Sequence, residues 1–217
     1  MWKNLNPCLK AIYETYGMSG SLSKDEKDLK KAFIHTEQLW ESQFQQMGKI
    51  RFVLLGEAPL YGQNESYFYN ENSEYTAFFR HEIHPIVKRT HRKKADLFKH
   101  LRENGFIILD IFPFAFNDDT AFKFKNISRI RLHNLFCAIS EYYFKPKLEK
   151  IRTKSNKKTA FSLRYKKHKV LLDILRVHLK TMGFLANGTD IGCIGSKNMP
   201  LDIEKLEIEY RKAIDDL

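Results

Sequence analysis

The chain has 217 residues, 43% of them hydrophobic and 13% aromatic, and its 37 Lys and Arg outweigh 26 Asp and Glu to give a formal net charge of +11. That composition suits one packed core over residues 1–217, and no segment approaches the uninterrupted apolar run of a membrane span, so a membrane partner is not expected. The charge excess favours a polyanionic partner.

Met1 to Pro7 lacks the charged-then-apolar pattern of a secretion signal, and Cys8, Cys137 and Cys193 are an odd, scattered set, so a reducing, cytoplasmic setting is expected. Asp25 to Met47 reads as an amphipathic helix: Ser23 can cap it, Glu26 takes the reciprocal position, and Leu29, Phe33, Leu39, Trp40 and Phe44 fall near helical spacing. Gly48 ends it. Ile50 to Leu55 is an apolar strand that runs into Gly56-Glu57-Ala58-Pro59, the form in which a buried strand delivers a reactive loop. Gly56 is expected to permit a backbone conformation barred to other residues, Pro59 to stiffen the turn, and Glu57 to be held toward a ligand. An ordinary strand-to-helix turn with a solvated glutamate is the competing reading.

Gln63 to Tyr75 is polar and aromatic without a firm period and reads as a loop over a site. Thr76 to Val87 reads as a short helix broken near Pro85, Ala95 to Asn104 as another closed by Gly105, and Phe106 to Ile111 as a second strand. Thr120 to Lys125 alternates apolar and basic residues, as an exposed strand or extended loop would. Ile127 to Phe144 is expected to be helical, Lys154 to Thr159 a surface loop, and Leu163 to Met182 the clearest helix, with Leu171, Leu172, Leu175 and Leu179 inward. Asp190 to Gly195 gives a third strand and Ile203 to Ile214 a closing helix. Strands alternating with helices predict an α/β three-layer sandwich with a central, mostly parallel sheet flanked by helices.

Three basic runs, Lys88 to Lys94, Lys123 to Arg131 and Lys145 to Lys169, are interleaved with Phe122, Phe124, Tyr142, Tyr143, Phe144, Phe161 and Tyr165. Cations beside aromatic rings suit DNA, single- or double-stranded, better than a mere solvated face, and Lys88, Arg89, Arg92, Lys93, Lys166, Lys167 and Lys169 are the candidate contacts. His81-Glu82-Ile83-His84 is too closely spaced for a helical zinc motif, so no metal is expected. Gly195-Ser196-Lys197 lacks the glycine that a phosphate loop needs at position 190, which is Asp190.

Gly56-Glu57-Ala58-Pro59 resembles the first motif of the uracil-DNA glycosylase superfamily, whose members carry Gly-Gln-Asp-Pro-Tyr, Gly-Glu-Ala-Pro-Gly or related variants after the first core strand. Phe68-Tyr69 follows at about the spacing of that family's base-stacking ring, and Asp110 falls where the family has its base-reading asparagine. The likeness covers roughly residues 50–117. It implies a DNA glycosylase-like enzyme that hydrolyses the N-glycosidic bond of a flipped, damaged or modified base, and a monomer without cofactor is expected. Ala58 stands where the most familiar members have a water-activating aspartate, which leaves Glu57 to position water. Gly56, Ala58, Pro59 and Tyr61 would contact the base and Phe68 or Tyr69 would stack on it. Leu60 replaces a thymine-excluding tyrosine.

The closing His-Pro-Ser loop has no counterpart beyond Asn198-Met199-Pro200-Leu201, which makes Asn198 the remaining catalytic candidate. Three cysteines cannot supply the four ligands of the iron–sulfur cluster that Gly-Glu-Ala-Pro-Gly members hold. An ionised Asp110 only accepts hydrogen bonds and would suit an exocyclic amine, unless burial keeps it protonated and donating; it could also merely tie down the Phe112-Pro113-Phe114 loop. A catalytically inactive nucleic-acid-binding protein of the same fold is the alternative that Ala58 and the missing triplet favour.

Overall fold

The computed structural model describes residues 1–62, 64–73, 83, 93–116, 120–124, 127–156, 158–185, 190–195 and 203–215. Its elements in chain order are α1 (Trp2–Thr15), α2 (Ser19–Gln45), β1 (Phe52–Gly56), α3 (Lys94–Glu103), β2 (Phe106–Asp110), α4 (Arg129–Ser140), α5 (Phe144–Thr153), β3 (Ala160–Leu163), a 3₁₀ segment (Lys166–Leu171), α6 (Leu172–Thr181), β4 (Gly192–Cys193) and α7 (Ile203–Asp215). The strands pair in the order β2-β1-β3-β4, every pair parallel, and helices flank the sheet. The expected α/β sandwich is therefore present.

Every residue of β1 and β2 is buried, which is why both read as unbroken apolar runs rather than as an alternation. Phe52 and Phe106 lie in register and stack at 5.2 Å, and Tyr210 of α7 meets both rings edge-on, so α7 covers this face of the sheet. β2 is outermost. Its Ile108 N–H donates to the Tyr69 hydroxyl at 2.7 Å, and its Ile108 carbonyl accepts from Trp40 Nε1 of α2 at 3.0 Å. Gly105, at φ +67°, turns the chain from α3 into β2 against the Lys49 carbonyl, a place with no room for a Cβ.

Several elements differ from expectation. α1 was not anticipated, although Leu5, Leu9, Ile12 and Tyr13 bury at helical spacing. α2 begins at Ser19, which puts Ser23 and Glu26 inside the helix rather than at its cap. The single helix expected over 163–182 is instead the end of β3, a 3₁₀ turn and the shorter α6, because parallel pairing of Phe161, Ser162 and Leu163 with Val53, Leu54 and Leu55 outweighs a helical period carried by leucines. Residues 120–124 form no exposed strand: Phe122 and Phe124 are buried, and Asp25 holds the segment by accepting from Ala121 N–H at 2.7 Å. The helix expected over Thr76 to Val87 lies outside the described residues, apart from the buried Ile83.

Several cations of the third basic run are committed to partners within the protein. Lys147 is fully buried, paired with Glu37 at 2.8 Å and centred 3.6 Å over the Trp40 ring. The ammonium of Lys154 donates to the carbonyls of Phe44, Gln45 and Met47 at 2.8, 2.9 and 2.8 Å and so closes the C-terminal end of α2. Arg152 does the same for α6 through the Met182 and Gly183 carbonyls. Of the aromatics interleaved with the basic runs, Phe122, Phe124, Tyr143, Phe144 and Phe161 are core residues, so these rings are not a stacking surface for nucleic acid.

Candidate active site

Parallel strands bring their C-terminal ends to one rim, and the loops that leave that rim form the usual ligand crevice of an open α/β sheet. Here β1 delivers Gly56 and Glu57, β2 delivers Asp110, and β3 delivers Arg164. Backbone bonds lock the rim together. Ile111 N–H donates to the Gly56 carbonyl at 3.2 Å, Phe112 N–H to the Glu57 carbonyl at 2.9 Å, and Arg164 N–H to the Leu55 carbonyl at 2.9 Å.

A cleft opens there. Gly56, Ala58, Pro59 and Leu60 form one wall, Tyr67, Phe68 and Tyr69 another, and Ile108, Asp110 and Arg164 line the rest. About 30 Å³ in it is open to water, room for one or two molecules but not for a nucleobase, so a base can enter only if the walls move apart. Leu60, 58% exposed, is the wall residue with least to hold it in place.

Gly56 owes its identity to crowding rather than to an unusual backbone. Its φ is not positive, unlike that of Gly62 in the same loop, but a Cβ on it would come within 2.5 Å of Asp110 Oδ1, its partner in register on β2. One oxygen of the Asp110 carboxyl thus occupies the space over Gly56. Burial raises its pKa to about 7, against the pull of Arg164 and Lys147 and with smaller pushes from Glu37 and Glu57. Asp110 is consequently an acid that donates a hydrogen bond below about pH 7 and only accepts above it.

Glu57 is beside the cleft rather than in its lining. Its Oε1 lies 3.3 Å from Nε2 of His168 in the 3₁₀ turn, with the Glu57 side chain 19% exposed and His168 fully buried. Tyr165 packs edge-on against the His168 ring at 5.5 Å, and Arg164 lies 4.8 Å from the centre of the Tyr165 ring. The chain from Arg164 to His168 therefore places one cation in the cleft and one imidazole against Glu57.

Of the residues assigned from sequence, Gly56, Ala58, Pro59, Phe68, Tyr69 and Asp110 converge on this cleft. Tyr61 does not: its hydroxyl bonds His35 Nδ1 at 2.8 Å and Glu65 Oε1 at 3.0 Å, and the ring turns to a separate cleft beside α2. Phe68 and Tyr69 are buried, pack on Phe98 of α3, and Tyr69 is further fixed by Ile108, so they are wall and core at once. Asn198, Lys88, Arg89 and Arg92 lie outside the described residues, as do the side chains of Lys166 and Lys167; Lys93 and Lys169 are exposed. Arg164 and His168 were missed. Their signal was a short apolar segment, Phe161 to Leu163, running straight into a charge, the same form as Leu55-Gly56-Glu57.

Among the described residues no cluster of His, Cys, Asp or Glu could hold a metal ion, and no helix is long and apolar enough to cross a membrane. The fold and rim define a parallel α/β domain with an aromatic-walled cleft at its strand ends that holds one carboxyl and one guanidinium. No protein-family model, curated protein or solved structure matches the chain.

Proposed function

We propose that the chain is a DNA glycosylase-like enzyme that hydrolyses the N-glycosidic bond of a base drawn into the cleft at the strand ends. The observation that carries this reading is the convergence of Gly56, Ala58 and Pro59 of the motif turn, the Phe68 ring and the Asp110 carboxyl on one cleft, with Glu57 at its side. Glycosidic cleavage builds positive charge on the sugar and negative charge on the departing base. Arg164, the cation in the lining, is placed to oppose charge on the base, and Glu57, oriented by His168, to hold the attacking water. A protonated Asp110 offers one donor and one acceptor, the pattern of an asparagine amide, and so suits a keto-imide edge such as that of uracil; the ionised form suits an amine.

The test is strand cleavage after alkaline work-up, on duplexes carrying uracil, hypoxanthine, modified cytosines or mismatches. Turnover on one of them, abolished by Glu57→Gln with DNA affinity retained, is the expected result. Asp110→Asn should keep the uracil-type preference and extend it above pH 7. DNA binding with no product on any duplex would favour an inactive nucleic-acid-binding protein, the reading to which Ala58 and the closed cleft point.

A further inference from the structure

The opposite rim of the sheet carries a second depression, of about 360 Å³, lined by Gln46, Gly48, Lys49, Arg51, Lys99, Arg102 and Glu103. Four cations surround it and one carboxylate answers them. Glu103 reaches Lys99 only at 4.0 Å, with both side chains well exposed, a contact that neutralises little.

Helix ends are the ordinary reason for cations in such a place, and α2 and α3 both finish here. Each C-terminus presents roughly half a negative charge. That of α2 is already met by Lys154, whose three N–H groups are spent on its last carbonyls. The end of α3 together with Glu103 offsets roughly one and a half charges, less than half of what Lys49, Arg51, Lys99 and Arg102 supply.

One of the two arginines is anchored at its guanidinium and the other at the base of its side chain. Arg102 is held through Nη1 to Gln43 Oε1, and Arg51 has its backbone fixed by Gly105 and Ala160 and its stem laid against Gly105. Lys49 and Lys99 flank them and are exposed, on side chains long enough to reach a ligand. A pre-oriented planar fork beside a second arginine and two point charges is a combination that recognises phosphate oxygens.

We propose that this depression binds phosphate groups, as a free polyphosphate or as the backbone of a nucleic acid, at a site separate from the cleft at the other rim. The probe is inorganic tripolyphosphate, titrated into the full chain at low salt by calorimetry, with Arg51→Gln and the exposed Lys49→Gln as variants and thermal melts to confirm that both remain folded. Saturable binding weakened about tenfold in each variant is expected, the scale of a lost charge-assisted hydrogen bond. A short single-stranded oligonucleotide then separates the sources. Competition with tripolyphosphate, and a salt slope reduced by about 0.7 per removed cation, identifies a nucleic-acid backbone, whereas no competition identifies a small polyphosphate. Absence of saturable tripolyphosphate binding, or binding that both folded variants retain unchanged, overturns the site.

Discussion

The two rims of the sheet handle charge in opposite ways. At the C-terminal rim Asp110 is buried over Gly56 and His168 is sealed behind Glu57, and Lys147, whose charge is felt by Asp110, is enclosed by Glu37 and Trp40. At the N-terminal rim Lys49 and Lys99 stand in water around a wide depression. Low dielectric makes each charge at the first rim costly to change and its titration sensitive to its neighbours, while high dielectric makes charges at the second cheap individually and useful only in number. Buried charge tunes chemistry; exposed charge recruits a ligand.

The comparison is broken most directly at Lys147. Lys147→Met keeps the stem but strands Glu37, and should cost about 3–5 kcal/mol of unfolding free energy in urea titrations, as losing one member of a buried pair does. In the surviving folded fraction the Asp110 carboxyl, observed by carbon NMR, should titrate above its wild-type value, since Lys147 now pulls it down. A stability unchanged by this substitution would mean that the rim is far wetter than the structure makes it.

Asp110 gives the second effect. Its folded-state pKa of about 7 exceeds the ordinary value of 3.8, so the folded protein binds the proton more tightly than the unfolded chain does. The stability from this group is complete below about pH 4 and is lost as pH rises to about 7, a change on the order of 3–4 kcal/mol. Asp110→Asn should flatten that slope in melts recorded between pH 4 and 8. Gly56→Ala follows, with a loss of about 1–3 kcal/mol from forcing a methyl into the Asp110 carboxyl. The smallest effect belongs to the other rim, where Lys49→Gln should change stability by less than about 0.5 kcal/mol while weakening phosphate binding.

Legibility in the sequence follows the same division. β1 and β2 could be read because strands covered on both faces become unbroken apolar runs, and their order placed Gly56, Glu57 and Asp110 near one another. β3 was hidden because Ala160–Leu163 is only four residues and its leucine serves a helical period equally well, and with it went Arg164 and His168. The lysines misled most. Nothing in the spacing of Lys145 to Lys169 distinguishes a solvated ammonium from Lys147 under Trp40 or Lys154 closing α2, because each is decided by partners more than 100 residues away. Gly56 was identified as constrained, but the constraint is a neighbouring carboxyl on another strand, which no local pattern encodes.

Ile108 bears on how the molecule behaves in a crowd. An edge strand normally offers its outward N–H and C=O groups to any extended segment that drifts past, and that is how sheets grow from one chain into the next. On β2 the pair at the strand's centre is already taken, the N–H by the Tyr69 hydroxyl and the carbonyl by the Trp40 indole. Two aromatic side chains thus stand in for a neighbouring strand, and because one of them belongs to the loop that walls the cleft, an opening that drew Tyr69 away would also free a backbone donor at the sheet's edge.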